Sequence, residues 1–224
     1  MRRRIGGTRL GRQQLEGVLF EEVDGALWPR AMIEKARVLR DAASTGSAAP
    51  QDERMGCCRI VVGVDPPASN EGVCGIVVCG LDDQGVGHVL ADLSVGGVSP
   101  EGWARKAAAA AEAWGAQRIV AEANNGGRMV ETVLRGAGLS LPVKLVHAAE
   151  GKAARAAPVA TLFESGRAKL AGCFPALEDE LAGLSWEGGY AGPGRSPDRA
   201  DAMVWALTEL MLQPRRAPPS IRAL

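Results

Sequence analysis

The chain has 224 residues, 46% of them apolar and 23% charged, with 26 basic and 26 acidic side chains. A chain of this length buries about 70% of its unfolded surface, so neither disulfides nor a structural metal is required for folding, and the composition excludes fibrous and wholly disordered classes. No apolar run reaches the roughly 18 residues of a bilayer span, and the start, MRRRIGG, lacks the apolar stretch of a secretion signal. A cytoplasmic protein without membrane contact is expected.

The zero net charge conceals a partition. Arg2, Arg3, Arg4, Arg9 and Arg12 give the first twelve residues +5, and Arg215, Arg216 and Arg222 give the last twelve +3, which leaves the body at −8. Basic ends suit a polyanionic partner or a flexible arm, whereas an acidic body argues against nucleic-acid binding over the whole surface. Any such contact must be local. The five cysteines (Cys57, Cys58, Cys74, Cys79 and Cys173) are odd in number and form no C-x-x-C pair, so reduced thiols are expected rather than a zinc site. His88 and His147 are the only histidines, and both are expected at strand ends on the surface. Triads and histidine-rich metal sites are therefore unattractive, and the chemistry falls to carboxylates.

In chain order, residues 1–12 read as an arginine arm. Residues 13–41 carry a short apolar element and, after Pro29, a helix with Met32, Ile33, Ala36 and Leu39 on one face. The small, polar stretch 41–54 reads as a linker, so the compact domain should start near Cys57. RIVVGV (59–64) is a β-branched strand ended by Asp65-Pro66-Pro67. Strands 73–81 and 87–95 follow, joined by a turn at 82–85. The alanine-rich segment 100–114 is a helix. Strand 117–121, helix 126–134, strand 142–147, helix 152–164, a short strand 168–170 and helix 175–184 come next. A glycine-rich loop, 188–195, leads into a last helix with Ser196 as N-cap, Pro197 at its first position, and Met203, Val204, Leu207 and Leu210 as its apolar face. Trp103, Trp114, Trp186 and Trp205 are assigned to packing.

Three meandering strands before any crossover exclude a Rossmann order. They predict an α/β mixed sheet in which three antiparallel strands are extended by parallel ones and flanked by helices.

Such a sheet brings separated acids together. Asp65 ends the first strand, Glu122 ends the strand after the alanine-rich helix (IVAEANNGG), and Asp198 and Asp201 fall three apart in the first turn of the last helix. If those two strands are parallel neighbours, Asp65 and Glu122 emerge at one edge about 5 Å apart. Taken singly, each aspartate has an ordinary explanation as a turn residue or a favourable charge at a helix start. Glu122, closing an apolar run, is less readily explained that way. Clustered carboxylates raise one another's pKa unless a cation lies among them, and hard divalent ions suit oxygen ligands. Two such ions roughly 4 Å apart activate water and stabilise the leaving oxygen of a phosphodiester. The pattern points to metal-dependent phosphodiester hydrolysis.

GTRLGRQQLEG, RIVVGVDPP, VAEANNGG, GKAARAAPVATLFESGR and SPDRADAMVWALTEL, in that order, resemble the nuclease region of the large terminase subunit of tailed phages and phage-like gene transfer agents. The resemblance spans nearly the whole chain from about Gly6 to Leu212 and implies a ribonuclease-H-like fold over 56–212, preceded by the basic arm, short helical element and linker of 1–55 and followed by the basic tail 213–224. It implies an endonuclease that cuts concatemeric double-stranded DNA during genome packaging, with two Mg²⁺ or Mn²⁺ ions, in a bacterial host cell. Asp65 then matches the aspartate that bridges the ions, Glu122 the second acid and Asp201 the aspartate of the final helix; Asp198 is a further ligand, and which of the pair binds more directly stays open. Complete terminases also carry an ATPase motor, and their partners include a small terminase subunit and a portal. No Walker A loop occurs in this sequence, so packaging by this chain alone is excluded.

Lys144, Lys152 and Arg155, together with Arg128, Arg195 and Arg199 beside the acids, are the candidate DNA contacts, neutralising phosphates without reading bases. A solvated helix face would explain Lys152 and Arg155 equally well. With 4% aromatic residues, recognition by base stacking has little support. The loop 188–194 has room to gate the cleft. Holliday-junction resolvases and ribonuclease H share the expected topology and acids, and a catalytically silent module that docks on a packaging partner is the reading from a different class.

Overall fold

The computed structural model describes residues 23–38, 55–69, 72–124, 126–187 and 189–213; the arginine arm, the linker and most of the C-terminal tail lie outside them. Its elements are α1 (Arg30–Ala36), β1 (Arg59–Asp65), β2 (Val73–Leu81), β3 (Gly87–Asp92), β4 (Val95–Gly96), α2 (Pro100–Trp114), β5 (Arg118–Glu122), α3 (Arg128–Gly136), β6 (Val143–Val146), α4 (Lys152–Glu164), β7 (Ala168–Leu170), α5 (Pro175–Ala182) and α6 (Asp198–Leu207), which runs into a π-helical turn Thr208–Leu212.

The strands form one sheet in the order β6-β5-β1-β2-β3-β7, with β4 pairing β2. β1, β2 and β3 are antiparallel, whereas β5 and β6 extend the sheet in parallel from β1 and β7 lies parallel to β3 at the far edge. This is the mixed sheet expected from three hairpin-linked strands followed by crossovers. The runs RIVVGVD and VCGIVVCGL are almost continuously buried because both sheet faces are covered.

Side chains of a strand alternate between faces. Ile60, Val62, Val64, Ile76, Val78 and Ile119 pack with Trp103, Ala107, Ala111 and Trp114 of α2 and Val130 and Leu134 of α3. Val61, Val77, Val89 and Val120 belong to the other core, with α1, α4, α5 and α6. Parity therefore places Asp65, four residues after Val61, and Glu122, two after Val120, on the α6 side of the sheet.

That helix lies unusually close to the strands. A Cβ on Gly63 would fall 2.0 Å from the Ala202 carbonyl oxygen, and one on Gly75 1.9 Å from that of Asp198. Only glycine at these two strand positions lets the helix backbone rest on the sheet, which brings the first turn of α6 against the ends of β1 and β2.

Residues 23–38, placed by the sequence reading ahead of the compact domain, pack into the core. Leu27, Trp28, Ile33 and Ala36 are buried on the α4 and α5 side, Trp28 meets Phe163 edge-on with ring centroids 6.1 Å apart, and Val38 N–H donates to the Leu170 carbonyl at 2.8 Å. Charge completes the docking. Glu178 and Asp179 of α5 have no exposed surface; Arg37 pairs with Glu178 through Nε and a terminal nitrogen, and Arg30 pairs with Asp179.

The histidine and tryptophan assignments divide. His147 is exposed, but His88 is buried because Asp82, across the turn, accepts its Nε2 at 2.9 Å. Trp103 and Trp114 are buried in the α2 core, whereas Trp186 is 59% exposed, since its loop turns outward after Ser185. The five cysteines are all free. Among the described residues, no helix is long and apolar enough to cross a membrane.

Candidate active site

β1 and β5 are parallel neighbours, with Val64 opposite Ala121. Asp65 and Glu122 are the next residues on the two strands, so they leave the sheet side by side, one strand spacing of about 4.8 Å apart. α6 supplies Asp198 and Asp201 from its first turn. All four acids line one cleft of about 1040 Å³, closed on its other sides by Pro66 and Pro67, by Lys152 and Arg155 of α4, and by the segment from Pro193 to Ser196.

Helix α6 starts one residue later than predicted. Pro197 is its N-cap and makes no side-chain capping bond. The cap comes from tertiary structure: Glu180 of α5 accepts from the backbone N–H groups of Arg199 (2.8 Å) and Ala200 (3.1 Å), and from the Arg199 side chain at 2.8 Å. A carboxylate at a helix N-terminus also complements the helix dipole. Burial pushes the Glu180 carboxyl up to about 7, against the pull of Arg199 and these backbone donors. No sequence signal marks Glu180, because its spacing to α6 exists only in the fold.

The acids differ in their surroundings. Burial lifts Asp65 well above the usual carboxylate range, Glu122, Asp201 and Asp198 lift it further, and Lys152 opposes them. Asp198 is raised by burial, while Ser196 and Lys152 hold it down. Glu122 accepts from Trp205 Nε1 at 2.7 Å and from the Asn124 amide at 2.8 Å; Asn124 in turn accepts the Ala148 N–H at 3.0 Å. Trp205, assigned to packing from sequence, thus orients a site acid. Asp201 is 4% exposed. Its two oxygens accept from Lys152 (2.7 Å) and from Arg155 (2.9 Å), and Arg155 also stands 3.9 Å from Glu122 and 4.9 Å over the Trp205 ring.

The candidate DNA contacts are placed unevenly. Lys152 and Arg155 share a helix face as expected, but that face points at the acids. Arg195 is exposed on the cleft, and Arg128 is exposed at the start of α3, outside the cleft lining. Arg199 also lines the cleft but is committed to Glu180 and, at 3.2 Å, to Asp92. Lys144 lies elsewhere: its ammonium bonds Glu209 (2.7 Å) and Gln213 (2.6 Å), pinning the π-helical turn to β6. The loop expected to gate the cleft is tied to the C-terminal cap of α5 by a bond from Ala191 N–H to the Gly183 carbonyl (2.8 Å), and is braced internally by Tyr190, whose hydroxyl donates to the Pro193 carbonyl at 2.6 Å.

The donor set suits a hard divalent ion in kind, since every acid on the cleft offers carboxylate oxygens. The arrangement is not a ready-made cage. Among the described residues, no group of three or more acidic, histidine or cysteine side chains stands close enough to enclose an ion; Lys152 and Arg155 bond Asp201 instead.

A mixed sheet of this order, flanked by helices on both faces, is a ribonuclease-H-like fold. The family model described as the terminase RNaseH-like domain matches residues 62–210, and the chain belongs to that family. The large terminase nuclease from thermophilic phage G20c, solved with bound magnesium, is similar at a TM-score of 0.62 and 17% identity, over 84% of this chain and 98% of that one. The same nuclease with bound cobalt gives 0.61 and 17% over the same shares. The P22 large terminase nuclease domain gives 0.52 and 14%, over 68% of this chain and 82% of that one. No curated protein matches. The chain is thus a terminase RNaseH-like domain.

Proposed function

We propose that the protein cuts concatemeric double-stranded DNA during packaging into phage-like capsids, in the cytoplasm of a bacterial host, using two Mg²⁺ or Mn²⁺ ions. The observation that carries this reading is the meeting of Asp65 and Glu122 with Asp198 and Asp201 at one cleft, from strand ends and a helix start distant in sequence. Asp65, Glu122, Asp198 and Asp201 would hold the ions. When bound, such ions activate a water and stabilise the leaving oxygen of an in-line displacement at phosphorus. The rest falls to side chains of this chain. Trp205 and Asn124 fix the Glu122 carboxylate, Arg155 holds Asp201 against it, and Glu180 anchors the helix that delivers Asp198 and Asp201. Arg195 on the cleft and Arg128 beside it would neutralise phosphates without reading sequence. The ATPase motor, small subunit and portal are the expected partners.

The test is a plasmid cleavage gel. Mn²⁺ or Mg²⁺ should give nicked and linear products, and chelator, Asp65→Asn or Glu122→Gln should abolish them. Four-way junctions or RNA·DNA hybrids cut in preference to linear duplex would transfer the site to resolvase or ribonuclease H chemistry. No Mn²⁺ binding by calorimetry, with Asp65→Asn silent, would leave a docking module.

A further inference from the structure

Two cations stand among the acids, and they are held differently. Lys152, the first residue of α4, donates to Asp201 Oδ2 at 2.7 Å and to Ser196 Oγ at 2.8 Å. Its charge also acts on Asp65 and Asp198, opposing the rise that burial imposes on both carboxyls, so one ammonium acts on three acids. Its side chain is 37% exposed toward the cleft. Arg155, one turn further on, is only 11% exposed, bonded to Asp201 Oδ1 and seated over the Trp205 ring.

We propose that the Lys152 ammonium is a placeholder cation: it holds the acid cluster together without metal, and a divalent ion entering among Asp65, Asp198 and Asp201 displaces it while Arg155 stays in place. The proposal rests on the metal reading above. Acids crowded at one sheet edge repel unless a cation compensates them, and Lys152 does so here. An ion sharing the Asp201 carboxylate would bring a second positive charge close to the ammonium, and like charges repel strongly in a partly buried site. A compact charge on a flexible four-carbon stem can leave, whereas a planar guanidinium stacked on tryptophan is fixed. The freed ammonium stays at the cleft, where a DNA phosphate is its natural partner.

The experiment is calorimetric titration of Mn²⁺, without DNA, into the wild type, Lys152→Met, Lys152→Gln and Arg195→Gln. Arg195 is exposed on the same cleft and makes no ion pair among the described residues, so its variant measures only the general effect of removing a charge. Both Lys152 variants should bind Mn²⁺ about 5- to 10-fold tighter, the equivalent of losing one partly exposed ion pair, and Arg195→Gln should stay within about 2-fold of wild type through screening. In chelator, Lys152→Met should melt below wild type, and saturating Mn²⁺ should close the gap. Unchanged or weaker Mn²⁺ binding by the Lys152 variants, or equal tightening in Arg195→Gln, overturns the placeholder alone. A wild type that binds no Mn²⁺ overturns the metal reading and the placeholder with it.

Discussion

Arg37→Ala removes the whole guanidinium from Glu178, a carboxylate with no exposed surface that accepts from Arg37 Nε at 3.1 Å and from a second Arg37 nitrogen. The variant leaves Glu178 with the Phe174 N–H, at 3.0 Å, as its remaining donor among the described residues. Breaking a buried ion pair from one side costs about 3–5 kcal/mol, because an uncompensated charge stays behind. Arg37 is itself 27% exposed, so water can enter part of the vacated space, and the lower end, about 3 kcal/mol, applies. For a chain of this size that is a fall of about 6–12 °C in Tm. Urea unfolding and calorimetry at pH 7 measure both quantities. Arg37→Met with Glu178→Met should recover most of the loss, since an apolar pair removes the buried charge as well. A loss under about 1 kcal/mol in Arg37→Ala would refute the reasoning and detach residues 23–38 from the folded unit. The family match begins only at residue 62, so the same logic predicts that a fragment starting at Cys57 is strongly destabilised.

Gly63→Ala would place a methyl 2.0 Å from a backbone oxygen of α6, so the helix must move off the sheet; the variant should lose several kcal/mol in urea unfolding and at least 10-fold in Mn²⁺ affinity. Trp205→Phe keeps a ring under Arg155 but removes the N–H donated to Glu122; about 10-fold weaker Mn²⁺ binding in calorimetry is expected, and unchanged affinity would make Trp205 a packing residue only. Burial raises Glu180 from its ordinary 4.5 to about 7, so between these values the folded chain holds a proton that the unfolded chain releases. Its contribution to stability is therefore present at low pH and declines as pH rises from about 4.5 to 7. The unfolding free energy of wild type minus that of Glu180→Gln should fall across this window, by at most about 1.4 kcal/mol per pH unit, and a flat difference would contradict the assignment.

Much of the fold is local in origin and legible along the chain. The β-branched runs at β1 and β2, the turn at Asp82, the alanine-rich α2 and the proline-flanked start of α6 each follow from residues within one element. The candidate site is legible to the same depth. Once β1 and β5 are read as parallel neighbours, two-residue alternation puts Asp65 and Glu122 at one edge and on one face, in keeping with the pairing of Val64 and Ala121 just before them.

What the chain order does not carry is which side chains meet across elements. Lys152 and Arg155 read equally well as a solvated face or a phosphate-binding one, and only the packing of α4 beside α6 turns them onto Asp201. Ser196 has the character of an N-cap, yet the cap is Glu180, from another helix. The run Glu178-Asp179-Glu180 looks like a solvent-facing strip; it is buried because arginines from α1, the residue just past it and α6 converge on it. Periodicity and turn chemistry depend on a few neighbouring residues, so sequence alone determined the elements and the acids they carry. The compensation of buried charge depends on groups tens to more than a hundred residues apart, and tertiary structure decided it.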